Sequence, residues 1–226
     1  GDPPPPILLG RDQGGGDVPH CACLALPDVA GAHSDGHLLG VAIALPRTAD
    51  EQALSPVARA LLGDRGDQPL DSLEIPRLGT WRLQRVFAAA DGPADTPRGL
   101  APRRWVGPAR TWRSVTPVAL GRFPRRARFE QDAARIVAEA CDIAGYPQPV
   151  QVGITRAGML QGVPAARAFH LPQHASGPPR LTVHVQLEFP CELVGPVLLG
   201  PWRFLGMGLC LPLPAAPTTQ GAADAS

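Results

Sequence analysis

Prolines and glycines are spaced so closely along this chain that a long uninterrupted helix or strand has little room. Proline fixes φ and lacks a backbone donor, so inside a regular element it removes a hydrogen bond and crowds the preceding turn. With 28 prolines and 25 glycines in 226 residues, short elements and many loops are expected, which disfavours a helical bundle. The length suffices to bury a core. A turn-rich stretch at residues 91–102 divides the chain into two units of roughly 100 residues each.

Residues 1–19, with Pro3–Pro6 and Gly14–Gly16, read as a linker, stiff in its first part and loose in its second. The chain opens on Gly1, and the linker leads to the expectation of a preceding domain. Cys21–Leu26, stopped by Pro27, reads as a strand, and Leu38–Leu45, closed by Pro46, as a second, buried one. Between them Ser34-Asp35-Gly36 makes a turn flanked by His33 and His37. Thr48 with Glu51 forms a capping box, and Leu54, Val57, Leu61 and Leu62 repeat at helical spacing up to Gly63. Pro56 within that run predicts a kink or a late start. Leu73–Leu78 and Trp81–Phe87 read as a hairpin about Gly79-Thr80.

In the second unit Val115–Leu120, Pro149–Thr155 and Leu181–Phe189 read as strands. Leu181–Phe189 alternates, with Leu181, Val183, Val185 and Leu187 inward and Thr182, His184, Gln186 and Glu188 outward. Arg128–Ala144 is the clearest helix, with Phe129, Ala133, Ile136, Val137, Ala140 and Ile143 on one face and Gly145 as its stop. Residues 214–226 are small and polar, and a disordered tail is expected.

All 21 basic residues are arginine. Any cation offered to a phosphate is therefore a planar, permanently charged guanidinium, and lysine general-base or Schiff-base chemistry is excluded. The net charge is only +1, yet residues 98–135 concentrate arginines, among them Arg122, Arg125, Arg126 and Arg128, with Trp105 and Trp112 interleaved. Arginines alternating with aromatics suit a groove that neutralises phosphates and stacks bases; a solvated charged face is the plainer alternative.

Five scattered cysteines without a secretory signal imply free thiols in a reducing cytoplasm, and no apolar run approaches the about 20 residues a bilayer requires. Cys21-x-Cys23 with His33-x3-His37 offers four zinc-type ligands, but the CxxC knuckle is missing, so no metal or other cofactor is expected. Serine-hydrolase, Walker and dinucleotide motifs are absent.

Gly195–Pro212 sets Gly200, Gly206 and Gly208 among large apolar residues, with Trp202 and Arg203 between them. Such glycines mark a backbone that turns sharply or admits a close approach. Beside an indole and a guanidinium the approaching group could be a phosphate backbone; the alternative is a glycine-rich hairpin between buried strands.

The pattern Gly195-Pro-Val-Leu-Leu-Gly200, then Arg203, then Gly206-Met-Gly-Leu209 resembles the glycine-rich loop of the RAMP superfamily of CRISPR-associated proteins. With Thr111-Trp-Arg-Ser-Val-Thr-Pro117 it resembles, more narrowly, the processing half of the fused backbone-and-processing subunit of type I-G (formerly I-U) CRISPR effector complexes. That resemblance implies an α+β fold of two tandem ferredoxin-like (RRM-like) domains, residues 20–97 and 98–213, ending in a glycine-rich loop. It implies a metal-independent endoribonuclease acting on CRISPR repeat RNA by attack of the ribose 2′-hydroxyl. The crRNA and other subunits of a type I effector complex are the implied partners, with no membrane.

By the family's placement of its histidine near the first strand and helix, His37 and His33 are the implied catalytic pair, with His20 behind them. His184 would serve the interface between units, and His170 and His174 lie in a loop. Arg122, Arg125, Arg126, Arg128, Gly200, Trp202, Arg203, Gly206 and Gly208 are the expected RNA contacts. Family sites often pair the histidine with a lysine or tyrosine; here lysine is absent and Tyr146 is the single tyrosine. A non-catalytic crRNA-binding subunit is the alternative from another class, and a zinc-stabilised interaction module a third.

Overall fold

The computed structural model describes residues 6–10, 20–63, 70–75, 79–86, 98–169 and 180–214. In chain order these form α1 (Pro6–Leu9), β1 (Ala22–Pro27), β2 (Leu38–Ala44), α2 (Glu51–Leu62), β3 (Ser72–Ile75), β4 (Gly79–Arg82) and α3 (Arg103–Val106). Then come β5 (Ala109–Ser114), β6 (Val118–Ala119), α4 (Phe129–Ile143), β7 (Gln151–Thr155), β8 (Thr182–Leu193), β9 (Val197–Leu198) and β10 (Leu209–Leu213). The mixed α+β class expected from the sequence is the one observed. Most of the expected linker and tail lie outside the described residues.

The longest strand, β8, organises the second half. It pairs antiparallel with β5, β6 and β7; β10 adds to the far edge of β5 and β9 to β10. Residues Val183, Val185, Leu187 and Phe189 of β8 are buried on one face against Ala133, Ile136, Val137 and Cys141 of α4. The buried line on that helix follows Ala133, Val137 and Cys141, an i, i+4 row. Ile143, read from the sequence as part of that face, lies off this row and is exposed.

The opposite face of the sheet is also covered. Val115, Leu198, Leu209 and Leu211 meet Ala22, Leu24 and Leu26 of β1 in a second apolar cluster that includes Trp105. β1 alternates buried and exposed residues, as a strand with one covered face must. Its partner β2 packs less: Leu38, Val41 and Leu45 are exposed, so the reading of a second buried strand is corrected. The covered face belongs to β1, and β2 is the outer strand of a two-stranded ribbon with registers from Ala22↔Ala44 to Leu26↔Gly40.

The helix α2 starts at Glu51, capped by the Asp50 carboxylate accepting from the Ala53 N–H at 2.8 Å, rather than by Thr48. Pro56 stays inside the helix, so the start is set by the Asp50 cap and not by the proline. The β3–β4 hairpin forms, with Gly79 opening β4 instead of lying in the turn. Among the described residues the β1–β2 and β3–β4 ribbons do not pair with one another, so residues 20–97 show two separate ribbons where one sheet was expected. No helix among the described residues is long and apolar enough to cross a membrane.

Trp105 and Trp112, expected between the arginines of a base-stacking groove, are core residues instead. Trp112 is fully buried with its Nε1–H donating to Ala109 O at 3.0 Å, and Trp105 donates to Gly99 O at 2.7 Å. Both faces of the sheet being covered leaves their rings no solvent side. Trp112→Ala should therefore cost about 3–5 kcal/mol of stability, read as a lowered urea midpoint. A loss of RNA affinity at an unchanged midpoint would instead return the ring to a nucleic-acid surface.

Candidate nucleic-acid interface

The glycine-rich loop joins β9 to β10 and is held from below by Thr116. Its buried hydroxyl donates to Gly206 O at 2.8 Å and accepts from Leu209 N at 2.9 Å, while Gly208 N donates to Pro117 O at 3.0 Å. Gly206 is left-handed, with φ +82°, a region that costs a side-chain-bearing residue about 1–2 kcal/mol. A Cβ there would also stand 2.7 Å from Cys23 O of β1. Gly200 and Gly208 are buried likewise, against the carbonyl oxygens of Ala119 and Leu199. The space these glycines leave is filled by the protein's own backbone, so the close approach read from the sequence is made by β1, β6 and the loop itself.

Between the glycines the loop shows a different chemistry. Trp202 is half-buried; the Arg203 guanidinium lies over the Phe204 ring, 4.3 Å from its centre, and donates to Gly200 O at 3.3 Å. His20 stacks on the same ring at 4.2 Å and 24°, and its Nε2 bonds Leu8 O at 3.2 Å. Partial burial lowers the Arg203 pKa from its ordinary value. Tyr146 is a strut: its hydroxyl donates to Pro196 O and accepts from Leu198 N, and burial raises its pKa.

His33 and His37 lie on the exposed turn that leads from β1 to β2. The turn is built by Asp28, whose N–H donates to His37 O at 2.8 Å and whose carboxylate accepts from Ser34 Oγ at 3.1 Å; Ser34 in turn accepts from Gly31 N. Asp35 accepts from both the N–H and the Nδ1 of His37, at 2.9 and 2.6 Å. That hydrogen bond, with the carboxylate charge behind it, raises the His37 pKa and leaves Nε2 free. Asp35 moves the other way, held down first by the His37 N–H. Asp28, Asp35 and His37 each place one ligand atom within 4.8 Å of the others and could hold a cation.

The predicted site residues are not all brought together. Cys23 faces Ile43 while Asp28, five residues on, bonds His37, a separation of about 16 Å at 3.3 Å per residue. The four-ligand zinc reading fails on that geometry, since Cys21 and Cys23 stand at one end of β1 and His33 and His37 at the other. Gly206 packs on β1 at Cys23 and Ala25, between five and three residues before the Asp28 that bonds His37. His184, read as outward, is fully buried because loop 164–169 covers its face of the sheet. Ser114 Oγ bonds its Nδ1 and its Nε2–H donates to Pro164 O, each at 3.0 Å, and burial lowers its pKa. His170 and His174 lie outside the described residues.

The arginines divide into two sets. Arg122 makes a bidentate pair with Glu139 at 2.5 and 2.7 Å, and Arg125 pairs with Asp132 at 2.8 and 3.0 Å. Asp132 is buried and its pKa is driven far down, chiefly by that guanidinium. Acids of α4 thus occupy two of the cations expected to meet RNA. Arg126 and Arg128 are exposed and make no such pair among the described residues.

A second group, Arg103, Arg104 and Arg113, read from the sequence only as part of the basic stretch and not among the expected RNA contacts, lines an open cleft of about 700 Å³ beside α3 and the end of β10. They belong to the basic stretch visible in the sequence, but only the β5–β10 pairing makes them converge.

Residues 4–212 match the family model described as CRISPR-associated protein, GSU0054 family. No curated protein and no solved structure matches the chain.

Gly206→Ala should lower the thermal midpoint by forcing β1 away from the loop, a loss of at least about 1–2 kcal/mol; an unchanged melting curve would mean the loop yields freely. Asp132→Asn should lower the midpoint at neutral pH by removing the partner of Arg125. Because the folded Asp132 pKa is depressed, this stability is present above the unfolded value of about 3.9 and is lost as pH falls through the folded one. The difference between the two proteins' midpoints should therefore shrink below about pH 4.

Proposed function

Because this chain belongs to the GSU0054 family of CRISPR-associated proteins, we propose that it binds CRISPR repeat RNA and cuts it without a metal, remaining with the crRNA in a type I effector complex. The reading keeps two units, residues 20–97 and 98–213. In the second, the order β7–β8–β5–β10 with α4 between β5 and β7 is that of a ferredoxin-like sheet. There the glycine-rich loop takes the place of the second helix.

The observation that carries the catalytic reading is the exposed His37–Asp35 pair. Cleavage by the ribose 2′-oxygen forms a bond to phosphorus while the bond to the 5′-oxygen breaks. The base takes the 2′ proton, the acid protonates the departing oxygen, and a 2′,3′-cyclic phosphate and a 5′-hydroxyl remain. An imidazole whose Nδ1–H is held by a carboxylate stays protonated further into the neutral range and offers Nε2–H outward. His37 is accordingly the acid and His33, on the same turn, the base. Arginine supplies the charge that stabilises the pentacoordinate phosphorus, since the chain has no lysine.

A second reading is supported by the distance between the histidine turn and the glycine-rich loop: a subunit that grips crRNA without cutting it. Incubation with repeat RNA in EDTA separates the two, because cleavage to a cyclic phosphate requires the enzyme and retention of intact RNA the binding subunit. His37→Ala should lower the single-turnover rate by about 10²–10⁴-fold with binding nearly intact. Asp35→Asn should move the alkaline limb of the rate profile to lower pH, since the raised His37 pKa falls and the acid form is lost sooner as pH rises. Cleavage at the normal rate by His37→Ala and by His33→Ala would leave the binding subunit as the function.

A further inference from the structure

The cleft beside α3 has walls of unusual charge. Arg103 and Arg104 come from α3 and Arg113 from β5; Leu211, the register partner of Arg113 on β10, lines the cleft too, with Met159 and Ala30. Among the described residues no aspartate or glutamate lines it, whereas Arg122 and Arg125 are met by Glu139 and Asp132. Its volume of about 700 Å³ falls in the range of ~300–1,000 Å³ common for ligand clefts.

Each guanidinium is positioned differently. Arg104 is tethered through a terminal nitrogen to Val29 O, and its Nε is buried without a partner. Arg113 is steadied by one hydrogen bond, from Nε to Gln186 Oε1 at 2.7 Å, which leaves the terminal nitrogens of its fork to other partners. Arg103 is exposed. Ala30 opens the turn that carries His33, and its backbone adopts φ +61°, a left-handed conformation uncommon for a residue with a side chain. Ala30 N bonds Gln161 O at 2.9 Å, tying that turn to the loop that forms the far wall.

We infer that this cleft is the phosphate path by which the strand of RNA reaches the histidine turn, with Arg103 and Arg113 as its phosphodiester contacts. Guanidinium forks match the paired oxygens of a phosphodiester. With no carboxylate among the described lining residues their charge acts unopposed, and the half-buried Met159 and Leu213 can pack sugar and base faces without reading sequence. Arg122 and Arg125, being paired with carboxylates of α4, contribute little to that path. The inference rests on the RNA reading above.

Fluorescence anisotropy of a labelled single-stranded repeat RNA over a range of KCl concentrations tests it on the full chain. For single strands the slope of log affinity against log salt is about 0.7 per neutralised phosphate, so Arg103→Ala/Arg113→Ala should flatten it by about 1.4 and weaken binding about ten-fold or more near 0.1 M salt. Arg122→Ala should leave the slope unchanged. Should the double variant melt early through loss of the Gln186 bond, the exposed single change Arg103→Glu should weaken binding at an unchanged thermal midpoint. Tight binding by the parent with unaltered slopes in both cleft variants would overturn the cleft and leave the RNA reading standing. No binding by the parent would overturn both.

Discussion

Burial of the second sheet face beneath β1 is the contact on which the rest of the structure depends. A sheet covered only by α4 would leave Val115, Leu209 and Leu211 to water; β1 supplies Ala22, Leu24 and Leu26 to meet them. Apolar burial favours this by about 25 cal/mol per Å² removed from water, without directional demands. The directional part comes from the glycine-rich loop, where Gly206 meets Cys23 O closely and Thr116 secures the two ends of the turn.

Two consequences follow for function. The strand that joins the halves also fixes where chemistry can stand, because the histidine turn grows from its C-terminal end and the glycine-rich loop packs near its N-terminal end. Residues that a family resemblance groups into one site are thereby spread over the length of a strand. Covering both faces also takes Trp105, Trp112 and His184 out of solvent, and with them the aromatic platform that the composition suggested.

Electrostatics sort the basic stretch in the same way. In sequence Arg103 and Arg122 look alike, since each belongs to one polarised run. In the fold, α4 returns Asp132 and Glu139 to Arg125 and Arg122, Arg126 and Arg128 stay exposed, and Arg103, Arg104 and Arg113 gather where β5, β10 and α3 meet. Exposed ion pairs contribute modestly to stability, but each one withdraws a cation from the work of binding a polyanion.

The sequence by itself determined the class of fold and most of its parts. Strand limits at Pro27 and Pro46, the helix over 129–143, the alternation of β8 on its α4 face and the glycine-rich return to the sheet were legible because they are local: proline, periodicity and turn residues act within a few positions. The carboxylate beside His37 was legible as Asp35, two residues away. Tertiary structure alone decided that the loop glycines met backbone, that His184 was enclosed, and which arginines were met by carboxylates. The enclosure of His184 and the filling of the space at Gly206 depend on residues 70 and 183 positions apart, Ser114 with His184 and Cys23 with Gly206, while the arginine pairs, 17 and 7 positions apart, depend on how α4 is set against the segment before it, and a one-dimensional pattern carries no record of which faces will be covered.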